Sequence, residues 1–380
     1  MRILTISGPL HREFGGPPMA ATGVAVSLNK IGHQVKMIVC GQSIRDSQIN
    51  SNFYKKLSDS GAEVKILHRR RESKYGTVLR LTELRSLWID VSKSDFVILH
   101  QVFELQYFAV FPVLLFLKKP YAVMPHGTLT TYQRKQHKFR KLLFYPGIYM
   151  FLKLSKGIFV ATKTEKDQLP EYLNAKGIEV GLGVELTHGQ SQNQIHLTPK
   201  FFLLYMGRIA KKKRLDVALH AFALALEKSN LRMKFIVCGS GEESYIAQLK
   251  ELVEVLQIEA HVEFRGWVDF SDKQLAFSES DCFILTSEDE NFAIAAAEAL
   301  AHGIPCILSS NVALSNLVTK HRAGIVFEEL LPLEIEKAIT ELSKSDRSIL
   351  KSASLRAASE LSWDAVAKKW ATNIATLLKH

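Results

Sequence analysis

Two carboxylates, Glu290 and Glu298, stand eight positions apart in Cys282-Phe-Ile-Leu-Thr-Ser-Glu-Asp-Glu290-Asn-Phe-Ala-Ile-Ala-Ala-Ala-Glu298. An apolar run ends there in a polar loop, and small residues then begin a helix. Ligands of open parallel sheets bind at the carboxyl ends of strands. A helix that opens at such a point offers unsatisfied N–H donors and a positive dipole end. The backbone of Asn291, Phe292 and Ala293 therefore suits a diphosphate. Eight helical positions separate the carboxylates by roughly 12 Å, which fits two ends of one long polyol better than one metal ion or one acid/base pair. An isolated pair at this spacing would more often be a helix cap and a solvated face. The preceding strand and the small-residue helix favour the ligand reading.

A second constellation, Met206-Gly-Arg208-Ile-Ala-Lys211-Lys212-Lys213-Arg214-Leu-Asp216, follows the apolar run FFLLY and holds five cations in seven positions. Arg binds phosphate in a bidentate fork and Lys as a point charge. Arg208 and Lys213 are the expected anion ligands; Lys211, Lys212 and Arg214 also fit a solvated charge run. Near the start, Gly15-Gly16-Pro17-Pro18 lets backbone approach a phosphate or sugar closely, although a plain turn fits too. In Pro125-His126-Gly127 the histidine can donate to a sugar hydroxyl or offset developing charge, or be structural. Gly239-Ser-Gly241-Glu242 and Arg265-Gly-Trp267 fit a nucleoside site and ordinary turns equally.

The elements that must position these residues alternate. Seven apolar runs in the first half (RILTIS, QVKMIVCG, EVKILH, FVILHQ, YAVMPHG, GIFVATK, IEVGLGV) and six in the second (FFLLYMG, KFIVCGSG, HVEFRGW, CFILTSE, IPCILSS, GIVFE) are separated by amphipathic segments. Continuous rather than alternating hydrophobicity predicts strands buried on both faces, and intervening helices predict parallel crossovers. The fold class is therefore α/β, with two Rossmann-like, mostly parallel sheets covered by helices on both faces. The predicted organisation is a first domain over 1–186, a linker over 187–199, a second domain over 200–362 and a terminal helix over 363–380. That helix carries an apolar stripe of Trp363, Val366, Trp370, Ile374, Leu377 and Leu378.

Composition narrows the classes. Of 380 residues, 47% are hydrophobic and 23% charged, ordinary for a soluble globular chain. The first residues read as a strand rather than a secretory leader. The longest apolar stretch, 107–117, is broken by Pro112 and is too short for the roughly 20 residues of a membrane span. Cys40, Cys238, Cys282 and Cys306 each sit in a strand-like run without CxxC spacing, which predicts buried thiols in a reducing compartment. Charge is lopsided: residues 1–190 hold 27 Lys and Arg against 14 Asp and Glu. A basic half implies an anionic partner: nucleic acid, an anionic membrane surface or a phosphorylated substrate. No nucleic-acid reader motif accompanies the charge.

In order, the GG loop, LHQ, PHG, TKTE, GRIAKKKRLD, CGSGEE, FRG, E-x7-E and a closing SW helix resemble the retaining family-four glycosyltransferases of GT-B architecture over nearly the full chain. The resemblance implies two facing Rossmann-like domains, with the donor held mainly by the second, the acceptor by the first, and a terminal helix crossing back to the first. It implies that Arg208 and Lys213 neutralise the donor diphosphate and that Glu298 holds ribose hydroxyls. Glu290, with the backbone of Asn291, Phe292 and Ala293, would contact the sugar and phosphate. His126 would lie near the anomeric carbon and Gly16, beside Gly15, near the phosphate. No metal or other cofactor is implied, because cations and helix ends do what a divalent ion would do. Retention there is assigned to front-face attack, with the leaving phosphate taking the acceptor proton. Three positions depart from the pattern: Arg214 and Ala293 replace common glycines, and Val180-Gly-Leu-Gly-Val-Glu185 replaces Pro-Asn-Gly-Val. Ala293 is expected in the first helical turn, where alanine is tolerable.

The expected function is transfer of a hexose-type sugar from a nucleotide diphosphate sugar to a glycan or lipid-linked acceptor, in surface polysaccharide or glycolipid synthesis. Alternatives are a GT-B nucleotide-sugar epimerase and a catalytically silent nucleotide-sugar-binding subunit. The expected location is cytoplasmic, peripheral on the inner membrane face if the cations of Arg69-Arg70-Arg71, Arg134, Lys135, Lys138, Arg140 and Lys141, beside the apolar 142–154, meet anionic lipid.

Overall fold

Strands without polar alternation are expected to be covered on both faces; of the thirteen found among the described residues, the central ones are buried and those at the sheet edges only partly so. The computed structural model of the chain describes residues 1–10, 16–41, 51–67, 81–135, 147–186 and 200–379. The predicted linker 187–199, Gly15, the run Arg69-Arg70-Arg71 and Lys138, Arg140 and Lys141 lie outside these residues, as does the side chain of Lys135. The chain folds as two compact units: Met1–Gly183 with Trp363–His380, and Val184–Ser362.

In the first unit β1 (Arg2–Ser7), β2 (Gln34–Cys40), β3 (Glu63–Leu67), β4 (Phe96–His100), β5 (Tyr121–Met124), β6 (Gly157–Val160) and β7 (Gly177–Glu179) form one sheet in the order β3-β2-β1-β4-β5-β6-β7. Every pairing is parallel. Five of the six β1 residues, and all of β4, β5 and β6, are buried. Leu4, Ile6, Val97, Leu99, Val123 and Ile158 form the centre of the core. The helix Trp363–Lys379 belongs to this unit and buries Val366, Ala367, Trp370 and Ile374. Trp370 meets Phe159 edge-on at 5.0 Å and donates from Nε1 to the Gly181 carbonyl at 3.1 Å. The Trp363 ring fills the space at Gly23, where a Cβ would fall 1.9 Å from it.

The second unit repeats the plan. β8 (Lys200–Met206), β9 (Arg232–Cys238), β10 (Val262–Gly266), β11 (Cys282–Leu285), β12 (Cys306–Ser309) and β13 (Gly324–Phe327) pair in parallel as β10-β9-β8-β11-β12-β13. Both orders turn back on themselves, at β1/β4 and at β8/β11. Such switch points open a crevice beyond the strand ends. The four cysteines are buried, free thiols. No helix among the described residues is long and apolar enough to cross a membrane.

Candidate functional site

The switch point of the second unit gathers the cations. Past β8 the chain makes a short 3-10 turn over Lys211–Lys213 before the helix Leu215–Glu227. Past β11 runs the loop Thr286 to Ala293. The two are stitched together: Thr286 Oγ1 donates to the carbonyls of Lys213 and Arg214 at 2.9 and 2.8 Å, and Glu288 N–H donates to the Lys212 carbonyl at 2.9 Å. Lys213 Nζ lies directly against Glu290 Oε2, and both side chains are largely buried. Lys212 Nζ stands 3.6 Å from Asp289 Oδ2 and donates to the Asp289 carbonyl at 3.1 Å. Burial lowers the Lys213 ammonium to about 7, helped by the Lys212 and Arg208 charges and opposed by Asp289. Burial lowers Lys212 as well. Arg208 is exposed, and no carboxylate among the described residues pairs with it. This is a set of like charges held close enough to disfavour one another, a state that a bound polyanion relieves.

Lys212, which also fitted a solvated charge run, is largely buried, because the 3-10 turn brings it in. Lys211 is exposed. Arg214 is committed to Asp216 at 3.1 Å and Glu288 at 3.0 Å.

On the β11 side, Glu290 is fixed through its backbone to the loop after β12, with its N–H to Asn311 and its carbonyl accepting from Ala313. The N–H groups of Asn291, Phe292 and Ala293 donate to no other group among the described residues. The expectation for Ala293 needs correcting. It is the N-cap of the helix Ile294–Ala301, at φ 61° and ψ 62°, rather than a residue of its first turn. Left-handed backbone costs a residue with a Cβ roughly 1–2 kcal/mol. Arg214, at φ 48° and ψ 43°, carries the same strain. Both residues that replace a common glycine therefore sit where glycine is free of strain. Glu298 lies one turn from the end of its helix and pairs with Lys273 at 2.5 Å.

Of the weaker candidates, Gly239 is needed for packing: a Cβ there would meet the Gly207 carbonyl oxygen at 1.8 Å. Arg265 is held by Glu263 at 3.0 Å and Glu279 at 2.7 Å.

In the first unit His126 follows β5 at φ 52°, with Gly127 next at φ 81°. His126 Nε2 lies 3.0 Å from His100 Nδ1, and the two rings stack at 5.2 Å. Burial lowers His126 to about 4 and pulls His100 well below its ordinary value, so both rings are neutral near pH 7. Gly16 opens the helix Gly16–Lys30 just past the undescribed residues 11–15. Sequence reasoning assigned no role to Glu165, yet it holds the histidine loop in place. Its buried carboxylate accepts from Gly127 N–H at 2.6 Å and from Ala161 N–H at 2.8 Å. The available signal was the TKTE stretch, in which Thr162 caps the short helix Lys163–Asp167 and aims the glutamate inward. His100 was likewise visible only as the middle letter of LHQ.

Two parallel α/β sheets, each with a ligand crevice at a strand-order reversal, define the GT-B class of fold. Residues 190–359, most of the second unit, match the family model described as Glycosyl transferases group 1. Among solved structures it is similar to Anabaena Alr3699/HepE in complex with UDP and glucose, at TM-score 0.76 and 13% identity over 99% of this chain and 100% of that one. It is similar also to the pneumococcal O-GlcNAc transferase GtfA in complex with UDP and GlcNAc, at TM-score 0.73 and 14% identity over 100% and 99%. These likenesses show the fold. In sequence it is 33% identical over 125 residues to the alpha-monoglucosyldiacylglycerol synthase of Streptococcus pneumoniae, 33% of this chain and 28% of that protein. It is 30% identical over 128 residues to the mannosylfructose-phosphate synthase of Agrobacterium fabrum, 32% and 28%. The aligned stretches thus span little more than a quarter of these relatives' length.

Proposed function

We propose that the chain is a retaining, metal-independent glycosyltransferase that moves a hexose-type sugar from a nucleotide diphosphate sugar to a hydroxyl of an acceptor. The observation that carries the proposal is the crowding of the Arg208 and Lys212 charges on Lys213, which lies against Glu290, at the β8/β11 switch point. As the bond from the anomeric carbon to the diphosphate breaks, negative charge grows on the leaving oxygen. Arg208 and Lys213 stabilise it, with the free N–H groups of 291–293 as a fixed dipole, so these groups supply what a divalent ion would. The acceptor oxygen bonds to the anomeric carbon on the same face, and its proton passes to the leaving phosphate. Glu290 orients a sugar hydroxyl, Glu298 the ribose, and neutral His126 offers Nδ1 to the reacting sugar. Strained backbone at Arg214, Ala293 and His126 supports the assignment, because such strain gathers at functional sites. The names of the similar proteins, with UDP and glucose or GlcNAc bound, support a hexose donor.

The same proposal places the enzyme in glycolipid or surface-polysaccharide synthesis at the inner face of a membrane. In support, the helix Tyr107–Phe116 exposes Phe108, Leu115 and Phe116, the last 76% exposed, next to Lys118 and Lys119, and Trp88 packs its ring on Phe116 at 5.0 Å. Aromatic and aliphatic side chains beside cations suit an anionic interface.

A thermal-shift screen against nucleotide sugars, with and without EDTA, tests the reading. A ligand at 100 times its Kd adds about 2.7 kcal/mol, and EDTA is expected to change neither the shift nor turnover. Absence of any shift, or turnover that a divalent ion must restore, would contradict it.

A further inference from the structure

The switch point of the first unit, between β1 and β4, gathers side chains that leave one another unsatisfied. A methyl group at Gly8, just past β1, would lie 3.1 Å from Gln101 Oε1, 3.7 Å from Glu104 Oε1 and 3.8 Å from Gln106 Nε2. Three polar side chains therefore converge on one glycine. Gln106 is 1% exposed, and neither atom of its amide finds a hydrogen-bond partner of acceptable geometry. Gln101 Oε1 is also buried and unpartnered, on a residue held at φ 74°. So is Nε2 of the adjoining His100. Burial pushes the Glu104 carboxyl up to about 7, with the Gln106 amide working against it. An unsatisfied buried polar group destabilises the fold that holds it. Native folds keep few of them, so several at one ligand crevice are matched to something that binds there.

We infer that Gly8, Gln101, Glu104 and Gln106 form a cradle for the hydroxyls of an uncharged sugar or polyol. Its occupant as acceptor rests on the glycosyltransferase reading above; the cradle rests on the geometry alone. Each glutamine offers two donors and an acceptor, and the carboxyl adds acceptors, the complement of neighbouring hydroxyls that both donate and accept. Among the described residues no Lys or Arg bonds to any of the three side chains, and the amides and carboxyl themselves carry no positive charge for a phosphate. The missing Cβ of Gly8 leaves a methyl-sized space among the three side chains. Its φ lies outside the left-handed region, so an alanine fills that space without backbone strain.

Saturation-transfer NMR on the full chain tests this, with methyl α-D-glucopyranoside, methyl α-D-galactopyranoside, methyl α-D-mannopyranoside and sucrose as neutral probes. Glucose 6-phosphate is the charged probe, and UDP is titrated into the same samples. Transfer to at least one neutral probe is expected, reduced at least fivefold in Gly8→Ala and Gln106→Leu, with the UDP response unchanged. Gln106→Leu should at the same time raise Tm by about 2–4 °C, because it removes buried polar atoms that the free protein leaves unpaired. A glutamine serving only the fold would lower it. Equal transfer in the variants overturns the cradle, and so does a preference for glucose 6-phosphate or silence from every sugar probe. The UDP response in the same tube shows whether the glycosyltransferase reading falls with it.

Discussion

At the end of β8, Lys212 and Lys213 crowd together and Lys213 presses on Glu290; at the end of β4, His100 and His126 are neutral rings beside glutamines. Both clusters occupy the reversal of a parallel sheet, so strand plan alone does not set their chemistry. What differs is the loop. A tight 3-10 turn holds cations close together in the second unit, where burial leaves little water to screen them. In the first, buried carboxylates and amides hold a neutral set. On the proposed reading one crevice suits a polyanion and the other groups without charge.

The largest effect that sharpens this contrast is expected at the cations. Losing a contact to developing charge costs about 2.7–4 kcal/mol, so Lys213→Ala and Arg208→Ala should lower kcat/KM by about a hundredfold to a thousandfold. Lys211→Ala, on an exposed residue, should change it less than twofold. Similar small effects at all three positions would reduce the cluster to a solvated face.

Next comes Glu165. Glu165→Ala strands two buried N–H groups, at about 1–3 kcal/mol each. Chemical denaturation should show unit 1 weakened by about 2–6 kcal/mol, while UDP binding, which the proposal assigns to the other unit, is retained. Loss of UDP binding without loss of stability would break the separation.

A smaller change is expected from Glu290→Gln. The carboxylate now presses on Lys213, so removing its charge frees the ammonium for phosphate. Calorimetry should find UDP bound about threefold to tenfold tighter, the scale of one partly screened charge, and UDP-glucose bound more weakly than by the native protein. Equal weakening of both ligands would remove Glu290 from the sugar. The smallest effect is Ala293→Gly. Relief of left-handed backbone, roughly 1–2 kcal/mol, is offset by about 0.4–1 kcal/mol of added chain entropy in the unfolded state. Denaturation should report a net gain near 0.5 kcal/mol, and a loss would show that the methyl group has a packing role.

Much of the fold was legible because continuous apolar runs have one common outcome. Each of the seven and six runs became a strand, and their parallel pairing followed from the helices between them. The neighbourhood of Arg208, Lys213 and Glu290 was legible for a related reason, since strand ends are where open sheets take ligands. Conformations and partners set by single residues were not. Ala293 reads as a helix former, and only the chain path from Glu290 forces its φ to 61°. Lys212 and Lys211 are identical letters, separated in burial by a turn whose period the sequence does not announce. Glu165 lies in a helix of five residues and Gln106 at the mouth of another, positions where periodicity says nothing of what a side chain bonds, or fails to bond, in loops brought close by the fold.

The β8/β11 cations are expected to receive a diphosphate. Lys213 is lowered to about 7 in the free protein, so near pH 8 much of it is uncharged. A bound diphosphate favours the charged form and raises that pKa. UDP titrated calorimetrically at pH 8, in buffers of different ionisation enthalpy, should therefore show net proton uptake approaching one per site. The uptake should fade toward pH 6, where the ammonium is already charged, and vanish in Lys213→Ala. UDP binding with no proton uptake at pH 8, or with the same uptake in Lys213→Ala, would contradict the account.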